Sequence, residues 1–138
     1  ISNVILESML TDIKDLFIEN YNEYKLVHMI INKYTIDGVS YSSLQDQISN
    51  DEICLEIKLI SISNLIILEI ENILKKYQIQ VNNFLDKGYV KDFFLDKQLD
   101  ISQMAHKLKN GKNDKEVRIT SKSPKKLGFF EKFFQLFS

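Results

Sequence analysis

The residues best suited to chemistry stand at the end of the chain, and their chemistry is that of an interface. The last stretch reads Lys125-Lys126-Leu127-Gly128-Phe129-Phe130-Glu131-Lys132-Phe133-Phe134-Gln135-Leu136-Phe137-Ser138 and holds five of the nine phenylalanines. On a helix, Phe129, Phe130, Phe133, Phe134 and Phe137 follow an i, i+1, i+4, i+5, i+8 pattern and line one face, to which Leu127 and Leu136 add. Glu131, Lys132, Gln135 and Ser138 fall on the other side. A chain end has few neighbours of its own to cover such a face, and a bilayer interface is the expected cover. Lys122, Lys125 and Lys126 lie just upstream. Each basic residue held near an anionic leaflet adds about 1 kcal/mol of attraction.

No catalytic constellation accompanies this segment. His28 and His106 stand far apart, and neither has a cysteine or carboxylate at metal-ligand spacing. His28 falls in a β-branched run and reads as a structural residue. Cys54 falls in an alternating run and reads as a small core residue rather than a nucleophile. As the single cysteine, it also excludes an internal disulfide and fits a reducing compartment. Gly38, Gly88, Gly111 and Gly128 are isolated, and none sits in the strand–loop–helix context of a phosphate-cradling loop. The expectation is a protein without a catalytic site, metal or cofactor, without ATP binding and without a nucleic-acid partner. No run of about 18 apolar residues occurs, so no membrane span is expected.

The elements that must carry the C-terminal segment divide by charge. Residues 1–104 hold 9 Lys or Arg against 16 Asp or Glu, a net of −7. Residues 105–126 hold 8 basic against 2 acidic residues, a net of +6. An acidic body therefore precedes a basic stretch. In the body, residues 3–19 predict a helix, with Val4, Ile5, Met9, Leu10, Ile13, Leu16 and Phe17 at helical spacing. Residues 24–36 are β-branched and aromatic and predict a strand, closed by the turn signal Asp37-Gly38. Residues 39–51 read as loop. Ile53, Leu55, Ile57 and Leu59 alternate with polar residues and predict a half-buried strand over 52–62. A helix is expected over about 64–78 with Leu65, Leu68, Ile70, Ile73 and Leu74 as its stripe, and a short strand over 79–85. Residues 89–108 read as one helix, or two broken near Asp100. Residues 109–126, with Gly, Lys, Asn, Ser and the only proline, read as linker. The expected architecture is α+β: a small antiparallel sheet with the two helices on one face, then a flexible basic linker and a C-terminal amphipathic helix.

The segment Lys25-Leu26-Val27-His28-Met29-Ile30-Ile31-Asn32-Lys33-Tyr34-Thr35-Ile36-Asp37-Gly38 resembles the "vLHvIPqeyxvDG" passage of the bacterial cell-division protein family FtsA. Leu55-Glu56-Ile57-Lys58-Leu59-Ile60 is similar to that family's "LEvkvHiv" strand, and Ile73 through Phe84 to its helix-to-strand passage. The basic stretch and Phe-rich end resemble its membrane-targeting tail. The family's proline is Ile31 here, and its Ala-Gly pair is Tyr77-Gln78. The ATP-binding subdomains that FtsA shares with actin have no counterpart in 138 residues. The resemblance implies a 1C-like domain over 1–88, a helical extension over 89–108, a basic linker over 109–126 and a membrane-targeting helix over 127–138. It further implies a non-enzymatic divisome adaptor at the septum, peripheral to the cytoplasmic face of the cell membrane. Its partners would be divisome proteins or another FtsA-like subunit. It implies tethering of the FtsZ ring, although the family's pocket for the FtsZ tail lies in a subdomain missing here. The residues alone leave a second reading open, a small protein–protein interaction module whose Phe-rich tail docks in a partner's groove.

Overall fold

The computed structural model describes residues 3–42, 52–94 and 99–117. Its elements are α1 (Asn3–Asn20), β1 (Tyr24–Ile36), β2 (Val39–Tyr41), β3 (Ile53–Ser63), α2 (Asn64–Lys75), α3 (Lys87–Phe93), α4 (Ile101–Lys109) and β4 (Glu116–Val117). The class is α+β with a four-stranded antiparallel sheet.

β1 is the axis of the sheet. β3 pairs with it from end to end, Tyr24 opposite Ser63 and Ile36 opposite Ile53. The other edge of β1 is shared: β2 takes Tyr34 to Ile36, and β4 takes Met29 and Ile30. The hairpin to β2 turns on Asp37 and Gly38, with φ of 50° and 79°. These positive values suit the tight turns that match strand twist, and they explain why an Asp-Gly pair sits there.

Simple alternation cannot account for the burial of β1, because Leu26, Met29, Ile31 and Tyr34 all belong to one core. Two bulges resolve this. The register slips between Leu26 and His28 and again between Ile31 and Lys33. Each extra residue resets which face the next side chain takes. All four apolar residues then meet α1, and His28 and Ile30 point to the opposite face. The first core joins them to Leu6, Leu10 and Phe17 of α1 and to Val117 of β4, with Leu55, Ile57 and Leu59 packed partly buried at its side. The expected stripe of α1 is rotated by about one residue. Leu6 is buried, and Ile5 and Leu16 are exposed, because Leu6, Leu10, Ile13 and Phe17 form the i, i+4, i+7, i+11 row that meets the sheet.

The second face is covered by α3 and α4, which supply Tyr89, Val90, Met104 and Leu108 around Ile30. α4 starts after Asp100, whose carboxylate accepts the Gln103 N–H at 2.8 Å while the Gln103 side chain accepts the Asp100 N–H at 3.2 Å. This reciprocal capping box fixes the start of α4.

Four expectations need correction. The helices over 3–19 and 64–78 do not share a core: α1 packs in the first cluster, α3 and α4 in the second, and among the described residues none of α2 belongs to either. Residues 79–85 form no strand. Val81, Phe84 and Leu85 are half-buried at a spacing that does not alternate, and the Lys25 ammonium lies over the Phe84 ring, 5.9 Å from its centroid. The linker does not begin at residue 109, since Asn113 and Val117 are buried and β4 completes the sheet. The remainder of that stretch, 118–126, lies outside the described residues. Cys54 is exposed rather than in the core, because the alternation that points Leu55 inward points its neighbour out.

Candidate functional site

The polar side chains that converge in this molecule do so on the second face, around His28. Glu116 stands opposite Ile30 on β4, two residues from His28 along β1, and so shares its face. The His28 Nδ1 and the Glu116 Oε1 are 2.6 Å apart. The backbone N–H of Asp86 donates to His28 Nε2 at 2.9 Å. Since an N–H can only donate, Nε2 is the unprotonated nitrogen and Nδ1–H is the donor to the carboxylate. The Tyr89 hydroxyl donates to Glu116 Oε2 at 2.7 Å, and it accepts from Asn113 Nδ2 at 3.0 Å. Asn113 Oδ1 accepts the Lys115 N–H at 3.0 Å. The His28 and Tyr89 rings pack at a centroid distance of 4.7 Å.

Sequence order explains how the pieces arrive. Asp86 caps α3 with its carboxylate, accepting the Tyr89 N–H at 2.8 Å, while its own N–H holds His28. One residue thus ties the helix start to the central strand. Burial pushes the Tyr89 hydroxyl well above the ordinary tyrosine range, and its hydrogen bond to Glu116 pushes the same way. Burial also raises Tyr34 on the other face, helped by the nearby Asp114 charge.

This cluster is chemically closed. Both nitrogens of His28 have protein partners, both oxygens of Glu116 accept, and the Tyr89 hydroxyl both donates and accepts. A groove of about 290 Å³ opens beside it, lined by Lys58, Asp92, Tyr89, Asn113 and Lys115 among others. Among the described residues no group of three or more His, Cys, Asp and Glu is placed to hold a metal ion. The cluster serves to clamp α3 and β4 onto β1. His28 is held within it between Glu116 and the Asp86 backbone. Its partners were not legible, because Glu116 lies 88 residues away in a stretch that reads as linker.

The second feature with functional potential is apolar. α2 buries Ile67 alone, with Ile70 and Leu74 half-covered. Leu65 is 72% exposed, Ile73 55% and Tyr77 71%. Ile66 and Leu68 are exposed as well. The candidate membrane residues Lys122, Lys125, Lys126, Leu127, Phe129, Phe130, Phe133, Phe134, Leu136 and Phe137 lie outside the described residues. Among the described residues no helix is long and apolar enough to cross a membrane.

Comparison with known proteins returns no family model, curated protein or solved structure that matches the chain.

Proposed function

We propose that this protein is a non-enzymatic adaptor of the FtsA type, held at the cytoplasmic face of the cell membrane by its C-terminal segment and joined to divisome proteins through its α+β body. The observation that carries this reading is the adjacency of two sequence features. A stretch of net charge +6 over residues 105–126 runs into a segment whose five phenylalanines take one face of a helix. Burying each ring at an interface contributes up to roughly 1.5–3 kcal/mol before ordering costs. Five rings on one side can offset those costs, and the lysines add attraction that salt screens. The exposed apolar residues of α2 support a body that works by contact, and the closed His28 cluster gives no support to a catalytic reading.

Co-sedimentation of the full chain with vesicles containing anionic phospholipid tests it. The parent protein should pellet with the vesicles. Phe130→Glu combined with Phe133→Glu should leave the protein in the supernatant, because it places charge in the inserted face. Replacing Lys122, Lys125 and Lys126 with Gln should weaken binding less, and only that part should depend on salt. If the double Glu variant sediments like the parent, the phenylalanine face is not the anchor and the tail's partner is a protein groove instead.

A further inference from the structure

α2 carries an apolar seam that the described residues leave uncovered. Ile66, Ile73 and Tyr77 stand seven and four residues apart, so they fall on one row of the helix, and all three are exposed. The row is short, since the twelve residues of α2 span about 18 Å. A single helix of that length offers less area than a stable interface between free partners needs. A segment of the same chain has no such need, because its tether keeps it near the site at a high effective concentration. The cover that fits is therefore one the chain carries itself.

The sheet sends such a segment toward α2. β4 pairs Glu116 with Ile30 and Val117 with Met29, so the chain leaves β4 toward the Tyr24 end of β1. β3 runs the same way and ends at Ser63, opposite Tyr24, where α2 begins. Met29 lies five residues from Tyr24, and β4 lies two strand spacings from β3, which puts Val117 about 20 Å from the start of α2. Nine residues, 118–126, join Val117 to the phenylalanine segment and reach about 30 Å when extended. As a helix, the eleven residues from Gly128 to Ser138 would span about 17 Å, which matches α2 to within a turn. Charge acts in the same sense, because Lys122, Lys125 and Lys126 belong to a stretch of net +6 and approach a body of net −7.

We infer that residues 127–138 dock their phenylalanine face on the Ile66, Ile73 and Tyr77 seam of their own body, and that lipid competes with the body for that face. Docking itself needs no membrane, and only the competition rests on the membrane reading above. In water the body holds the tail. At an anionic bilayer the tail transfers to lipid and uncovers the seam, so the apolar side of α2 opens only where the membrane is.

Tryptophan emission of the full chain without lipid tests the docking. The chain has no tryptophan, so Phe133→Trp reports on the tail alone. Its emission should lie to the blue of the same protein unfolded in urea, and should not change with protein concentration. Adding Ile66→Gln and Ile73→Gln should move it to the red with circular dichroism unchanged, since both isoleucines are exposed on the body. The two glutamines add no charge, so vesicles of anionic phospholipid then read the competition. The α2 variant should bind them about fivefold more tightly than the parent, because the body no longer withholds the tail. Emission like that of the unfolded protein overturns the inference. So does a blue emission that grows with concentration, which is contact between copies, and so does one that the α2 substitutions leave in place. Vesicle affinity that stays the same after a red shift overturns the competition. A blue, concentration-independent emission in a parent that never binds vesicles sinks the membrane reading and upholds the docking.

Discussion

α1 and α2 make an instructive pair. α2 is the more apolar of the two and the more one-sided, yet α1 is the helix that enters a core. The difference lies in how each joins the sheet. Three residues, Tyr21 to Glu23, separate α1 from β1, enough for the chain to reverse and lay the helix across the strands. Phe17 ends the buried row of α1 and stacks on Tyr21 at 5.3 Å, which closes that turn. α2 begins at the residue after β3. Ser63 is both the last residue of the strand and the N-cap of the helix, and its hydroxyl accepts the Leu65 N–H at 3.3 Å. With no residue between them there is no loop in which to turn back, so the helix leaves the sheet with its seam exposed. An apolar stripe measures a helix's need for cover, and the connection decides whether its own sheet can supply it.

The sharpest way to test that contrast is to truncate one residue from each side of it. Met29 is fully buried where α1 meets the sheet, and Ile73 is exposed on α2. Met29→Ala should cost about 2–5 kcal/mol, through lost burial and the cavity left behind. Ile73→Ala should stay within about 0.5 kcal/mol of the parent. Urea titrations followed by circular dichroism read both. Equal losses would mean that α2 is packed as well as α1 in solution, and the contrast would disappear.

The second face is held by the polar clamp as well as by apolar packing, and its weak point is alkali. Tyr89 and Tyr34 are both raised above the ordinary value of 10.0, mainly by burial. Below that value both states keep the phenolic protons, so stability does not respond to them. Above it the unfolded chain releases protons that the folded chain retains, so stability falls as pH rises, by up to about 1.4 kcal/mol per unit for each tyrosine. Tyr89→Phe should flatten the decline from about pH 10 upward. It should also lower stability at neutral pH by about 1–3 kcal/mol, since Glu116 and Asn113 lose a partner at a buried site. Denaturant midpoints across pH 7 to 11 separate the two effects. An unchanged alkaline slope would show that Tyr89 ionises as freely folded as unfolded.

How much of this could be read from residues follows the same division. β1 was legible to its ends, Tyr24 and Ile36, because a β-branched run stops at an Asp-Gly turn. The alternation of Leu55, Ile57 and Leu59 gave the facing of β3, and of the two readings of 89–108, one helix or two broken near Asp100, the second agrees with α4 starting after Asp100. Local signals sufficed wherever neighbours in sequence are neighbours in space. The rotation of α1, the bulges that reset β1 and the pairing of β4 with Met29 depend on contacts between distant segments, which composition does not record. Residues 113–117 show the limit most clearly. A stretch of Asn, Asp, Lys and Glu looks like solvated linker, yet Val117 enters the first core and Asn113 and Glu116 join the polar cluster on the second face. The phenylalanine face was legible as a pattern, and its function is tested by vesicles rather than by the fold.

The smallest expected effect is local to the end of α2. The Ile79 N–H donates to the Leu74 carbonyl at 3.1 Å, and the Gln78 N–H donates to the Lys75 carbonyl at 3.0 Å. This is the bonding of a Schellman stop, which places the residue between helix and exit in the left-handed region. Gln78 occupies that position with φ of 58°. A β-carbon there is crowded against the backbone by roughly 1–2 kcal/mol, and glycine escapes that penalty at some cost in chain entropy. Gln78→Gly should therefore stabilise the end of α2 by about 0.5–1 kcal/mol. Because α2 stands apart from both cores, the gain should appear as slower amide hydrogen exchange at Ile79 and Gln78, with little change in global unfolding. Global stabilisation of the same size would couple α2 to the sheet more tightly than its exposed seam implies. Faster exchange would mean that the Gln78 side chain makes a contact that outweighs the strain of its backbone.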